Sequence, residues 1–207
     1  MKNAALSRAL KWLFIAQLLS IVALLPLVYN LRSLLGAAAG LLTLAALVRA
    51  AREASGYRAA LVLCVANLVL GAFSSVLLRW FIYFLIRMLG TWAVQIVGAL
   101  SALLSMAGMV LGLLILRQVC LTTAGLVDDP AVAARGIRAW RINLICTVAV
   151  LLLTAAVSAL FGGDLDVEKQ LGLSTAVTLL SAVAQLAARV LYLHFLWQSA
   201  RCLSARD

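Results

Sequence analysis

The chain has 207 residues, 66% of them hydrophobic and only 12% charged, with a mean hydropathy of +1.12. Soluble domains hold about 45–50% apolar residues, so a soluble globular fold is excluded. The net charge of +10 flanks apolar stretches and forms no basic face with interleaved stacking aromatics. This sets nucleic acid aside as a partner and leaves anionic lipid headgroups, which attract each Lys or Arg by about 1 kcal/mol.

The first apolar stretch, 12–29, follows Lys2, Arg8 and Lys11. It exceeds a signal-peptide core, and no small-x-small cleavage site follows it. It is therefore expected to be a retained span. Arg32 separates it from a short second stretch, 34–48, which carries Gly36 and Gly40 in GxxxG spacing. Arg49, Arg52 and Arg58 lead into the third stretch, 59–78, with Asn67 near its middle. Residues 79–89 read RWFIYFLIRML, a composition that favours the headgroup region. They predict a short interfacial helix or an oblique extension of the third span. The fourth stretch, 91–116, places Ser101, Ser105, Gly108 and Gly112 on one face. Arg117 to Arg141 form the longest connection, in which Asp129-Pro130 predicts a helix start, Asp as cap and Pro in the first turn. The fifth stretch is 142–161. A glycine pair and the acids Asp164, Asp166 and Glu168 precede the sixth, 171–197, with Arg201 and Arg206 beyond it. Those acids lack the glycine and distal glutamate of a calcium loop and read as helix-capping charges.

The stretches read as transmembrane helices of about 20 residues, the second of them short, and none alternates with the period of a barrel strand. Twelve of the seventeen basic residues fall on one side of the spans, four on the other, and Arg189 inside the sixth. Short loops rich in Lys and Arg remain cytoplasmic. The expected fold is an all-α integral membrane protein of six transmembrane helices with both termini inside. The compact loops and strong basic asymmetry point to a bacterial plasma membrane.

A weak repeat runs through the chain. Arg8-Ala9, Arg58-Ala59 and Arg138-Ala139 open the odd spans, and nine residues after each Arg come Gln17, Asn67 and Thr147. The even spans end alike at Leu47-Val48-Arg49, Leu116-Arg117-Gln118 and Leu196-Trp197-Gln198. The pattern predicts three tandem αα-hairpins.

Ser174, Thr178, Ser181, Gln185, Arg189 and Tyr192 fall within about 80° of one another on a helical wheel. Polar groups on one face of a span seek other helices or water. The stripe has two readings: interhelical hydrogen bonding with Arg189 reaching towards the cytoplasmic surface, or a small polar cavity with Arg189 as its anion contact. Gln17 and Asn67, with Gln95, Asn143 and Thr147, would contribute to that cavity. Gly36, Gly40, Ser101, Ser105, Gly108 and Gly112 form small-residue faces for helix packing or for a partner, either another membrane protein or a second copy.

No acid lies inside a span, against the buried carboxylates usual in ion-coupled pumps. The single His194 and four scattered cysteines make no zinc site, and no catalytic motif occurs. No cofactor, metal or catalytic residue is expected. The sequence supports first a non-enzymatic subunit or scaffold of a membrane complex. The alternative is a small transporter or substrate-binding permease subunit, its cavity lined by the sixth span.

Overall fold

The computed structural model describes the backbone of residues 2–23, 29–89, 91–161 and 167–205. It describes their side chains apart from 2, 29–30, 32–33, 75–79, 81–83, 85–86, 89, 91, 93–95, 154, 157–161, 167–174 and 178. Six helices account for almost all of this: α1 (Lys2–Val22), α2 (Tyr29–Glu53), α3 (Tyr57–Leu89), α4 (Thr91–Leu126), α5 (Pro130–Phe161) and α6 (Val167–Ser204). No strand occurs among the described residues. Each helix contains a segment long and apolar enough to cross a membrane.

The helices are longer than the apolar stretches predict. α3 runs without a break through 79–89, so this segment is a continuation of the third helix and not a separate helix. The connection expected from Arg117 to Arg141 shrinks to residues 127–129, because α4 continues to Leu126 and α5 starts at Pro130. Asp129 caps that start: its Oδ1 accepts from the backbone N–H of Ala131 at 2.8 Å and of Val132 at 3.4 Å. The cap satisfies two of the donors a helix start leaves open. Asp164 and Asp166 lie outside the described residues, as do the side chains of Arg32 and Glu168.

Each helix packs against its neighbours in sequence, and α1 packs against α6. The result is a closed ring of six helices. At the end where α1 starts and α6 finishes, the ring is filled. Leu10, Leu13, Leu47, Tyr57, Val119, Phe195 and Leu196 are fully buried there, with Ala9, Ala46, Ala50, Ala60 and Ala200 between them. Small side chains let the helix backbones approach, which matters where lipid gives no hydrophobic push between helices. Leu41, Val62, Leu152, Leu179 and Val183 are exposed, an apolar exterior suited to hydrocarbon.

A collar of exposed cations surrounds the filled end: Arg8, Lys11, Arg49, Arg52, Arg58, Arg117, Arg135, Arg138, Arg141 and Arg201. Three of these guanidiniums lie over indole rings, Arg49 over Trp12 at 5.1 Å, Arg117 over Trp140 at 5.8 Å and Arg201 over Trp197 at 5.7 Å. Stacked Arg–Trp pairs combine a cation–π contact with the preference of Trp for a membrane interface. Two of the pairs join adjacent helices, α1 to α2 and α4 to α5.

Candidate functional site: a polar chamber inside the helix ring

Above the filled end, the side chains facing the ring axis are too small to close it. They line a partly open chamber of about 530 Å³ to which every helix contributes. Leu13, Gln17 and Ser20 come from α1, Gly36, Ala39, Gly40 and Thr43 from α2, and Cys64, Asn67 and Leu68 from α3. Gly108, Met109, Gly112 and Val119 come from α4, Asn143 and Thr147 from α5, and Gln185, Arg189 and Tyr192 from α6. The volume is within the roughly 300–1,000 Å³ of small-molecule sites. A second cavity of about 310 Å³, lined by Leu70, Gly71, Ser74, Ser101, Leu104 and Ser105, shares Asn67 and Gly108 with the chamber. It extends the polar space between α3 and α4, away from the filled end.

The floor is held by hydrogen bonds between helices. The hydroxyls of Tyr57 and Thr123 meet at 2.7 Å, both buried, and tie α3 to α4. Ser7 Oγ donates to the Ala200 carbonyl at 2.8 Å and ties α1 to α6. Asn143 Nδ2 donates to the carbonyls of Ala139 at 2.9 Å and Ala188 at 3.0 Å, tying α5 to α6. The Tyr57→Phe substitution should leave the Thr123 hydroxyl buried without its partner. The expected loss is about 1–2 kcal/mol, read as a lower melting temperature in detergent. Unchanged melting would mean that the pair does not hold the floor.

Several polar lining groups are satisfied within the wall. Thr43 Oγ1 donates to the Ala39 carbonyl and Thr147 Oγ1 to the Asn143 carbonyl, both at 2.8 Å. Others are not. Among the described residues, the side chains of Gln17, Asn67, Gln185 and Arg189 have no hydrogen-bond or ion-pair partner. Arg189 lines the chamber and is no part of the basic collar. It lies twelve residues before Arg201, about 18 Å along the helix.

The polar stripe of the sixth span thus divides. Gln185, Arg189 and Tyr192 share the chamber with Gln17 and Asn67. Ser181 is instead half-buried and outside the chamber lining, its buried Oγ without a partner. The side chains of Ser174, Thr178 and Gln95 lie outside the described residues. The small-residue faces also turn inward: Gly36, Gly40, Gly108 and Gly112 line the chamber, and Ser101 and Ser105 line its extension. A Cβ built on Gly36 or Gly112 meets nothing within 4 Å, whereas one on Gly40 comes to 2.9 Å from Leu68 Cδ2. These glycines make volume more than they make contact. His194 is exposed and accepts a hydrogen bond from Gln198 Nε2 at 2.9 Å, outside the chamber lining. No group of residues able to hold a metal occurs among the described residues.

The lining residues keep a common register. Gln17, Asn67 and Thr147 stand nine residues after Arg8, Arg58 and Arg138, and all three line the chamber. Thr43, Gly112 and Tyr192 stand four residues before Leu47, Leu116 and Leu196, and Gly40, Met109 and Arg189 stand seven before. Thr43 and Met109 escaped the sequence reading, and extending the even-span pattern backwards would have found both. Comparison with family models, with characterised proteins and with solved structures yields no match to this chain.

Proposed function

We propose that this chain is a non-enzymatic multi-pass membrane protein that binds a small polar solute in its central chamber, as a small transporter or as the substrate-binding subunit of a permease. The observation that carries this reading is the chamber itself, a polar space built by all six helices in a chain with scarcely any material outside them. Helices that only had to pack would close on their axis, since interior packing is normally dense. Here glycines hold the axis open beside unsatisfied amides and a guanidinium.

In this reading the chain is three tandem αα-hairpins about a pseudo-threefold axis, supported by the common register of the lining residues. Both termini are cytoplasmic, supported by the basic collar at their end of the ring. The membrane is a bacterial plasma membrane, and its lipids are the bulk partner. The filled end faces the cytoplasm, and the extension between α3 and α4 leads towards the opposite surface.

A scaffold or subunit role has one observation of its own. Trp80, Phe84 and Met88 recur every four residues along α3 and are 79%, 61% and 70% exposed. This ridge suits either lipid or a second membrane protein.

Cysteine labelling tests the chamber. With Cys64, Cys120, Cys146 and Cys202 replaced by Ala, Asn67→Cys is expected to react with a water-soluble methanethiosulfonate in proteoliposomes. The lipid-facing control Val183→Cys is expected to remain unmodified. An unreactive Asn67→Cys would mean a dry, closed ring and would sink the solute reading. A native mass spectrum then separates the two roles: a retained small molecule supports binding, and a retained polypeptide supports the scaffold.

A further inference from the structure

The chamber has a definite electrostatic demand. Arg189 places a permanent positive charge in its wall, and among the described residues no acid is positioned to answer it. Glu168, in the same helix, is 21 residues away, about 32 Å along it. Glu53, Asp128 and Asp129 lie at the filled end, beyond the floor. A charge at the centre of a span is costly and persists where water or a partner offsets it. The described residues supply no such partner, which leaves water or a bound anion to offset it.

The rest of the lining narrows its chemistry. One guanidinium neutralises one negative charge, so a doubly charged phosphate monoester would leave a charge uncompensated. A carboxylate matches the planar donor fork of Arg in charge and in bidentate geometry. Gln17, Asn67 and Gln185 bring amides from α1, α3 and α6, and each amide both donates and accepts. They suit a ligand that carries hydroxyl or amide groups besides its charge. Leu13, Met109 and Val119 supply apolar contact. The volume of about 530 Å³ is the share of roughly eighteen waters, enough for a compact metabolite.

We propose that the chamber binds a singly charged oxyanion of a small polar molecule, in the first place a hydroxyl- or amide-bearing monocarboxylate, with Arg189 as the charge contact and Gln17, Asn67 and Gln185 reading its polar groups. This rests on the solute reading above and adds its substrate class. The phosphodiester of an anionic lipid offers the same single charge, and the experiment separates the two sources.

The test is binding to the purified full chain in neutral detergent, followed by thermal shift and confirmed by equilibrium dialysis. The probes are hippurate, benzoate and gluconate, each paired with its uncharged primary amide, and dihexanoylphosphatidylglycerol. At least one carboxylate is expected to bind and its amide to bind at least 10-fold more weakly. Gly112→Trp, which fills the chamber from a position with open space around it, is expected to abolish binding. Arg189→Gln is expected to weaken binding about 10- to 100-fold, the scale of one charge-assisted hydrogen-bonded contact, and Arg189→Lys to restore part of it. Binding of the lipid alone, with the same dependence on Arg189, supports the oxyanion and assigns it to a headgroup. Amides that bind as well as carboxylates, or binding indifferent to Arg189→Gln, would overturn the anion assignment and leave the solute chamber standing. No binding by any anion to a protein whose Asn67→Cys labels would overturn it too, while failed labelling removes the chamber reading beneath it.

Discussion

The Arg189→Met protein is expected to melt at a higher temperature than the wild type in the absence of ligand, and to have lost its affinity for anions. The two effects share a cause. An Arg at the centre of a span costs about 2.5–3.5 kcal/mol on insertion scales, and among the described residues Arg189 has no carboxylate to offset it. Methionine already stands at the corresponding level of α4, where Met109 lines the same chamber seven residues before Leu116, so the ring accepts that side chain at that height. Hydration of the chamber would lower the cost of the native charge, so the expected gain is on the order of 1 kcal/mol. In a chain of this size that is a rise of about 2–4 °C, readable by intrinsic fluorescence during heating in detergent. Sites shaped for a ligand often lower the stability of the empty protein. A fall of similar size would identify Arg189 as a structural strut and remove the reason for expecting a ligand there.

The Gly136→Ala substitution should do the opposite and cost about 1–3 kcal/mol, the usual penalty for overpacking. A Cβ at Gly136 would stand 2.6 Å from two ring carbons of Phe195, and that ring is fully buried in the floor. The contact holds the start of α5 against the end of α6. Gly112→Ala is the matched control: its Cβ meets nothing within 4 Å, so only the helix-propensity gain of up to about 1 kcal/mol applies. Melting curves of both variants measure the contrast. A tolerated Gly136→Ala would show that the floor yields at the Phe195 contact.

The six helices were legible because each apolar run is long and bounded by cations. Their ends were less so, because hydropathy stops where lipid stops while hydrogen bonding does not. α4 carries on through the polar turns after Arg117 to Leu126, and α5 begins at Pro130, where the Asp129 cap was readable from two residues. The ring order could not be read, since nothing local specifies that α1 meets α6.

Within the site, the wheel position of Gln185, Arg189 and Tyr192 marked a polar face, and the spacing from Arg8 and Arg58 set Gln17 and Asn67 at a common level. Ser181 shows the limit of the wheel: it shares the angular sector of Gln185 and Tyr192 yet is not part of the chamber lining. The glycine pairs show another limit. Small-xxx-small spacing says that a helix has an indented face, and the same indentation serves a tight contact, as at Gly40 against Leu68, or open space, as at Gly36. Only the arrangement of the other helices decides which.

The seam between α1 and α6, fastened by Ser7 to the Ala200 carbonyl, makes the connectivity of this bundle circular in all but the covalent link. The polypeptide follows the ring helix by helix and returns to its starting point, so the place where the chain is cut is separable from the architecture it builds. A permuted gene that joined the present ends and opened at Ser55, between α2 and α3, would encode the same ring around the same chamber.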